Sequence, residues 1–290
     1  VAALLLHNEG FNVIGVTMRL FPQNEETNYS LNKSCCSLDD VEDARSVCRQ
    51  IGAKHYYLNF EKEFNEHVVN YFISEYQKGR TPFPCLACND RLKFDFLLKR
   101  AEFMKADYIA TGHYASIIET KNEYKLIKGI DETKDQSYVL FNLTQNIMKK
   151  LKLPVGIFPK SEIRKIAEDH NLINAKKPDS QDICFIPDGD YKKFINNKID
   201  QKQGLIVDSE GNKLGNHSGI HNFTIGQRKG IGIESKGKPL FVTKIYPSKN
   251  IVEVGPANEL MQTKVHISKV NLISKKNNIS DKEIFAKIRY

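Results

Sequence analysis

Residues 11–20, FNVIGVTMRL, are apolar and β-branched between Gly10 and Pro22, a pattern that predicts a buried strand. A polar loop follows over 21–36. From Ser37 the spacing changes: Val41, Ala44, Val47, Cys48 and Ile51 recur at helical intervals, Ser37 and Asp40 form an approximate capping box, and Gly52 closes the helix. KHYYLNF (54–60) reads as the next strand. Phe64, Val68, Phe72 and Tyr76 mark a helix ending near Gly79. Phe94, Leu97, Leu98, Ala101 and Met104 mark another, which leads into a strand at ADYIATGHY (106–114). Strands alternating with helices are the grammar of an α/β, doubly wound parallel sheet of Rossmann type. Sites in such sheets form at the carboxyl ends of strands, where Gly112, His113 and Tyr114 fall.

From about residue 195 the pattern shortens. Glycines at 204, 211, 215, 219, 226, 230, 232 and 237 punctuate brief runs such as LIVD, LFVTKIY and NIVEVG. This predicts a small β-rich module. Another β-type stretch begins after Pro256, and EIFAKIRY at the end of the chain alternates like a strand. The expected division is a nucleotide-binding and catalytic domain over 1–194, a small central domain over 195–256, and the start of a C-terminal β-barrel over 257–290.

Composition adds the medium and the partner. The 290 residues hold 43 basic and 35 acidic side chains, a formal charge of +8, which fits a polyanion partner and fits a solvated lysine-rich surface equally. No apolar run reaches the length of a membrane span, and the opening VAALLLHNEG lacks a basic start and a cleavage-type ending. The six cysteines, at 35, 36, 48, 85, 88 and 184, form no regular framework. A chain of this size needs no staples, so a reducing, cytoplasmic compartment is expected, with some of the sulfurs chemical in role.

The segment TPFPCLACNDRLKFD (81–95) places Cys85 and Cys88 three apart between a proline-studded loop and a helix. Four readings compete: half of a zinc site, part of an iron–sulfur site, a redox pair, or one nucleophilic sulfur. Zinc lacks a second pair of ligands nearby. With Asn89 as cap of a helix starting at Asp90, Cys88 lies just outside a positive helix end that favours its thiolate. Cys184, in the apolar run ICFI, reads as a core residue. KDQS (134–137) reads as a capped entrance to an element. GQRKG (226–230) suits a phosphate contact or a solvated turn equally, and Arg289–Tyr290 carries little as a bare dipeptide. Cys35 and Cys36 resist assignment.

Taken in order, CCSLDDVEDARSVC, GRTPFPCLACNDRLKF, ADYIATGHYA, KDQSYVLFNL, PVGIFPKSEIRKIAE, AKKPDSQDICFIPDGDYKKFI and TIGQRKGIGI resemble the tRNA-specific 2-thiouridylases over essentially the whole chain. The resemblance implies an adenine-nucleotide pyrophosphatase-type domain, a small central domain and a C-terminal β-barrel. It also implies ATP, with Mg2+, as the agent that adenylates the C2 oxygen of the wobble uridine in a tRNA anticodon loop. A cysteine persulfide, loaded by a sulfur-donor protein, then delivers sulfur.

Carried over by position, the nucleophile is Cys88 and the persulfide carrier is Cys184, the two joining as a disulfide after delivery. Met18 and Gly112 correspond to adenine-nucleotide contacts. Phe83, Pro84 and Cys85 correspond to the cradle of the target base, and His113, Lys134, Asp135, Gln136, Arg289 and Tyr290 to tRNA contacts. Some relatives carry Asp at position 85, which leaves Cys85 outside the thiol chemistry; the alternative is an iron–sulfur cluster on Cys85, Cys88 and Cys184. The family's Ser-Gly-Gly-Val-Asp-Ser phosphate loop is expected just before Val1, and much of the barrel beyond Tyr290. The chain is therefore expected to be a fragment truncated at both ends and inactive in ATP activation as given, the full-length protein being a monomeric thiouridylase.

Overall fold

The computed structural model of the chain describes residues 1–22, 38–179, 183–186, 189–234, 237, 239–274 and 283–286. The chain divides into two compact units. The first holds Val1–Asn65, Cys85–Cys184 and Lys269–Tyr290; the second holds Glu66–Pro84 and Phe185–Ser268.

In the first unit, β1 (Ile14–Arg19) runs parallel to β2 (Lys54–Asn59), with Ile14 opposite Lys54 and Arg19 opposite Asn59. The helix Leu38–Gln50 makes the crossover between them. A Cβ on Gly15 would stand 2.2 Å from the Cys48 Sγ, so glycine is what lets this helix lie close on β1. The strand is half-buried, where the sequence predicts full burial; Ile14 is 39% exposed. The N-terminal helix Ala2–Asn8 packs Leu4 with Val47, Ile51, Ala167 and Leu172. Its Ala2 and Leu5 pack beside Tyr114, Val155 and Ile163.

The predicted strand over 106–114 is cut to β3 (Ile109–Ala110), paired in parallel with β6 (Leu151–Lys152). The Thr111 amide still reaches the Lys152 carbonyl at 3.1 Å, and three residues farther on the Tyr114 amide is held by the Gln136 side chain at 2.9 Å. Among the described residues of the first unit the parallel ladder comes as two separate two-stranded pieces. Along the chain, between β3 and β6, lies an antiparallel hairpin, β4 (Ala115–Glu119) with β5 (Tyr124–Lys128).

Helical turns run over 61–77, with Phe64, Val68, Phe72 and Tyr76 all buried, as their spacing predicts. They run again over 84–103, where Cys88–Leu97 adopts the wider i→i+5 winding.

The second unit is a four-stranded sheet in the order β8 (Lys213–His217), β7 (Gly204–Val207), β10 (Ile251–Gly255), β9 (Phe241–Tyr246). Its core gathers Ile206, Val242, Val252 and Val254 with Ile220, Phe223 and Ile231. Phe185 packs edge-on against Phe72 and Phe194, at centroid distances of 5.3 and 5.4 Å. Among the described residues the sheet does not close into a barrel. Beyond Pro256, residues 257–260 form a 3-10 turn, and no strand occurs among described residues 261–274 and 283–286, against the expectation of β-structure. The polar partners there are side chains: the Asn271 amide donates to the Phe141 and Leu143 carbonyls, and Gln145 to the Ile273 carbonyl.

Candidate active site

The cysteine helix starts earlier than its sequence predicts. Pro84 occupies the first helical position, where its missing N–H costs nothing. Cys85 is then second in the helix and exposed, while Cys88 lies a full turn inside and half-buried. A helix dipole acts within the first turn, so its positive end favours an anion at Cys85 over Cys88, the reverse of the expectation. Asn89 is not the cap: it is 3% exposed and donates its Nδ2–H to the Val139 carbonyl at 3.2 Å. Of the three residues matched to the base cradle, Phe83 is half-buried, Pro84 buried and Cys85 exposed.

At the strand ends, Gly112 has no atom within 4 Å of where a Cβ would stand, an open backbone that a flat ring can approach. Met18 sits half-buried near the end of β1, opposite Leu58. Both positions fit an adenine contact. His113 is 8% exposed, with its Nδ1 2.7 Å from the Thr111 hydroxyl and its ring beside Phe94. Burial foremost, with the nearby Lys93 charge adding to it, pushes its pKa down to about 3. At neutral pH it is a neutral, enclosed imidazole, not the exposed cation that a phosphate contact would use.

Residues 131–139 form a loop braced from within. Asp135 accepts from the Gly129 and Ser137 amides at 3.0 and 3.1 Å and from the Ser137 hydroxyl at 2.9 Å, capping the short turn Ser137–Val139. The Gln136 amide donates to the Tyr114 carbonyl while its side-chain oxygen accepts from the Tyr114 amide. Asp135 and Gln136, matched to tRNA contacts, thus spend these oxygens on the fold, which agrees with the bland reading of KDQS as a capped entrance. Asp131 accepts from the Lys160 amide at the start of the helix Lys160–Asp169, and the Lys160 ammonium lies 5.5 Å from the Tyr114 ring centroid.

Lys134 is the member of the motif that reaches outward. Its Nζ lies 3.1 Å from Asp179, which also receives Lys160 at 2.9 Å and Arg164 at 3.3 Å. The hydrogen bond from Lys160 foremost, then Lys134, holds the Asp179 carboxyl below its ordinary range. Two residues back, Lys177 bonds Asp40 at 2.5 Å and Asp43 at 2.6 Å. Burial opposes the Lys177 charge, but these two bonds outweigh it and raise its pKa. Cys184 is half-buried; the core position predicted from its apolar run belongs to Ile186.

These contacts chain the pieces together within the first unit. Asn89, next to Cys88, bonds the 131–139 loop; Lys134, in that loop, bonds Asp179, five residues before Cys184. The signal for Asp179 and Lys177 is the close opposition of charge in KKPD. Cys48 is buried, its thiol pKa raised by that burial, and it has the character of a core residue. In the second unit, Arg228 and Lys229 are exposed on a turn braced by Gln227, whose side chain bonds the Thr224 amide and the Lys229 carbonyl. Cys35, Cys36, Arg289, Tyr290 and residues 180–182 lie outside the described residues.

Among the described residues no three His, Cys, Asp or Glu side chains are grouped to hold a metal ion. No helix of the described residues is long and apolar enough to cross a membrane.

Known proteins resemble the chain throughout. Residues 1–188 match the family model described as tRNA methyl transferase HUP domain, and residues 192–256 the tRNA methyl transferase PRC-barrel domain. A protein of Acetivibrio thermocellus named tRNA-specific 2-thiouridylase MnmA is 45% identical over all of this chain and 82% of its own length. A Thermoanaerobacter pseudethanolicus protein named tRNA-specific 2-thiouridylase MnmA 1 is 46% identical over all of this chain and 80% of its own. One from Clostridium perfringens, again named tRNA-specific 2-thiouridylase MnmA, is 45% identical, with 81% of its length covered.

Proposed function

Because this chain belongs to the tRNA-specific 2-thiouridylase family, we propose that it replaces the C2 oxygen of a tRNA wobble uridine with sulfur, at a site built from Cys88 and Cys184. An amide-like carbonyl does not give up its oxygen to a nucleophile in water without activation. ATP, its phosphates carried with Mg2+, supplies that activation: the C2 oxygen takes the adenylyl group and pyrophosphate leaves. The terminal sulfur of a Cys184 persulfide then attacks C2, the C–O bond breaks and AMP departs. The Cys88 thiolate attacks the Cys184 sulfur of the resulting disulfide link, so the S–S bond to the uridine sulfur breaks and C2=S remains. Cys88 and Cys184 end as a disulfide, oxidised by the two electrons that reduce the transferred sulfur; an external thiol reductant restores them.

Met18 and the open Gly112 backbone serve the adenine, and Lys134 and the exposed Arg228–Lys229 turn face tRNA phosphates. Cys85 stands at the base cradle outside the thiol steps. The catalytic part is taken as 1–194, with 195–256 as the central domain and 257–290 as the start of a C-terminal domain. The enzyme works as a monomer in the cytoplasm, loaded by a persulfide-carrying donor protein. The family model's description speaks of methyl transfer, whereas the relatives at 45% and 46% identity are named 2-thiouridylases, and thiolation gives a chemical use to two sulfurs on segments tied to a common loop. That tie is the observation that carries the reading: Asn89 and Asp179 bond the same 131–139 stretch.

The test uses the full-length protein with Cys88→Ser, Cys184→Ser and Cys85→Ser variants, scored by mass analysis of the modified tRNA. The first two are expected to lose thiolation at least about a hundredfold while tRNA affinity stays within twofold, and Cys85→Ser to retain it. Thiolation surviving either of the first two changes would refute the assignment.

A further inference from the structure

Three consecutive residues, Lys177, Pro178 and Asp179, gather ties from three separate elements. Lys177 Nζ lies between Asp40 and Asp43, three apart on one face of the helix Leu38–Gln50. Asp179 Oδ1 takes Lys160 and Arg164, four apart on one face of the helix Lys160–Asp169, and its Oδ2 takes Lys134 from the 131–139 loop. Pro178 between them fixes its own φ. The two clamps are opposite in sign, cation into two acids and acid into three bases, so a slip of two residues would set Asp179 against the acids in one direction and Lys177 against the bases in the other.

One exposed ion pair adds little to global stability. Five contacts on two residues of an irregular segment do something else: they fix where the chain sets out toward Cys184. From Asp179 the sulfur carrier is five residues on, a reach of at most about 18 Å. Were both clamps lost, the nearest upstream tie among the described residues would be the Lys177 amide bond to the Asn174 carbonyl, seven residues from Cys184 and a reach of about 25 Å.

We infer that Lys177 and Asp179 are positioning residues, which register the segment bearing Cys184 for sulfur transfer without touching the substrate. The inference rests on the sulfur-transfer reading given above.

The experiment is single turnover by the full-length protein, its Cys184 preloaded with persulfide, with AMP formation and 2-thiouridine formation measured in parallel on saturating tRNA. Lys177→Met/Asp179→Asn is expected to slow 2-thiouridine formation at least about threefold relative to AMP formation. Lys177→Arg/Asp179→Glu is expected to restore at least half of the loss. The single variants, each retaining one clamp, carry the same test at smaller amplitude if the double variant does not fold. Thiolation and AMP formation falling together, thiolation unchanged, or no recovery in the conservative pair would overturn the inference. Cys184→Ser in the same assay separates the two levels: if it still thiolates, the underlying reading has failed, whatever Lys177 and Asp179 do.

Discussion

Burial holds His113 neutral, and the sign of its effect on stability follows. An unfolded histidine titrates near 6.5, whereas His113 in the fold is pushed down to about 3. Between those values the unfolded chain binds a proton that the folded one refuses, so stability is whole above about pH 6.5 and drains as pH falls, by about 1.4 kcal/mol per unit from this residue. His217 and His221 are also lowered by burial and act in the same direction. Urea unfolding between pH 7 and 4.5 should show His113→Gln with a flatter slope than the parent; parallel slopes would rule His113 out. None of this was visible in the sequence, because a histidine at a strand end looks the same whether its ring faces a ligand or Phe94. The same blindness covers Asp135 and Gln136, whose motif is plain but whose oxygens turn inward. Cys184 shows the converse: an apolar run predicted burial, and the residue is half-exposed beside a buried Ile186.

Elements were more legible, since period carries their signal. The strand at 14–19, the helix at 38–50, the strand at 54–59 and the helical run at 61–77 all follow from spacing and flanking glycines. What spacing missed was decided by single side chains. Pro84 moved the start of the cysteine helix six residues ahead of Asp90, and the Gln136 side chain holds the Tyr114 amide inside the stretch read as one strand. The β4–β5 hairpin escaped notice although ASIIE and YKLIK alternate about a polar turn.

The close approach at Gly15 makes an element-scale prediction. Gly15→Ala should cost about 1–3 kcal/mol through the clash with Cys48. Adding Cys48→Ala should return part of that, so a double-mutant cycle by denaturant titration reads the coupling directly; strict additivity would show that the contact is not the cause. Asn89→Ala removes a bond in a buried setting and leaves the Val139 carbonyl without it, at about 1–3 kcal/mol. It should also slow thiolation more than AMP formation, since it loosens the Cys88 helix from the 131–139 loop. An Asn89→Ala protein as stable as the parent would remove that bracing role.

At the scale of the whole molecule, family resemblance supplied an expectation that periodicity could not: that two cysteines 96 positions apart, at 88 and 184, act in one reaction. Bulk charge and cysteine count allowed a polyanion partner and reactive sulfur without naming either. The fold adds a physical path between them, from Asn89 through the braced loop to Asp179. The measurement that bears most directly on the central claim is a quenched single turnover of the full-length, persulfide-loaded protein with ATP and tRNA, followed by peptide mapping without reductant. A Cys88–Cys184 disulfide is expected to accumulate one for one with 2-thiouridine; 2-thiouridine formed while both thiols stay reduced would contradict the sulfur relay.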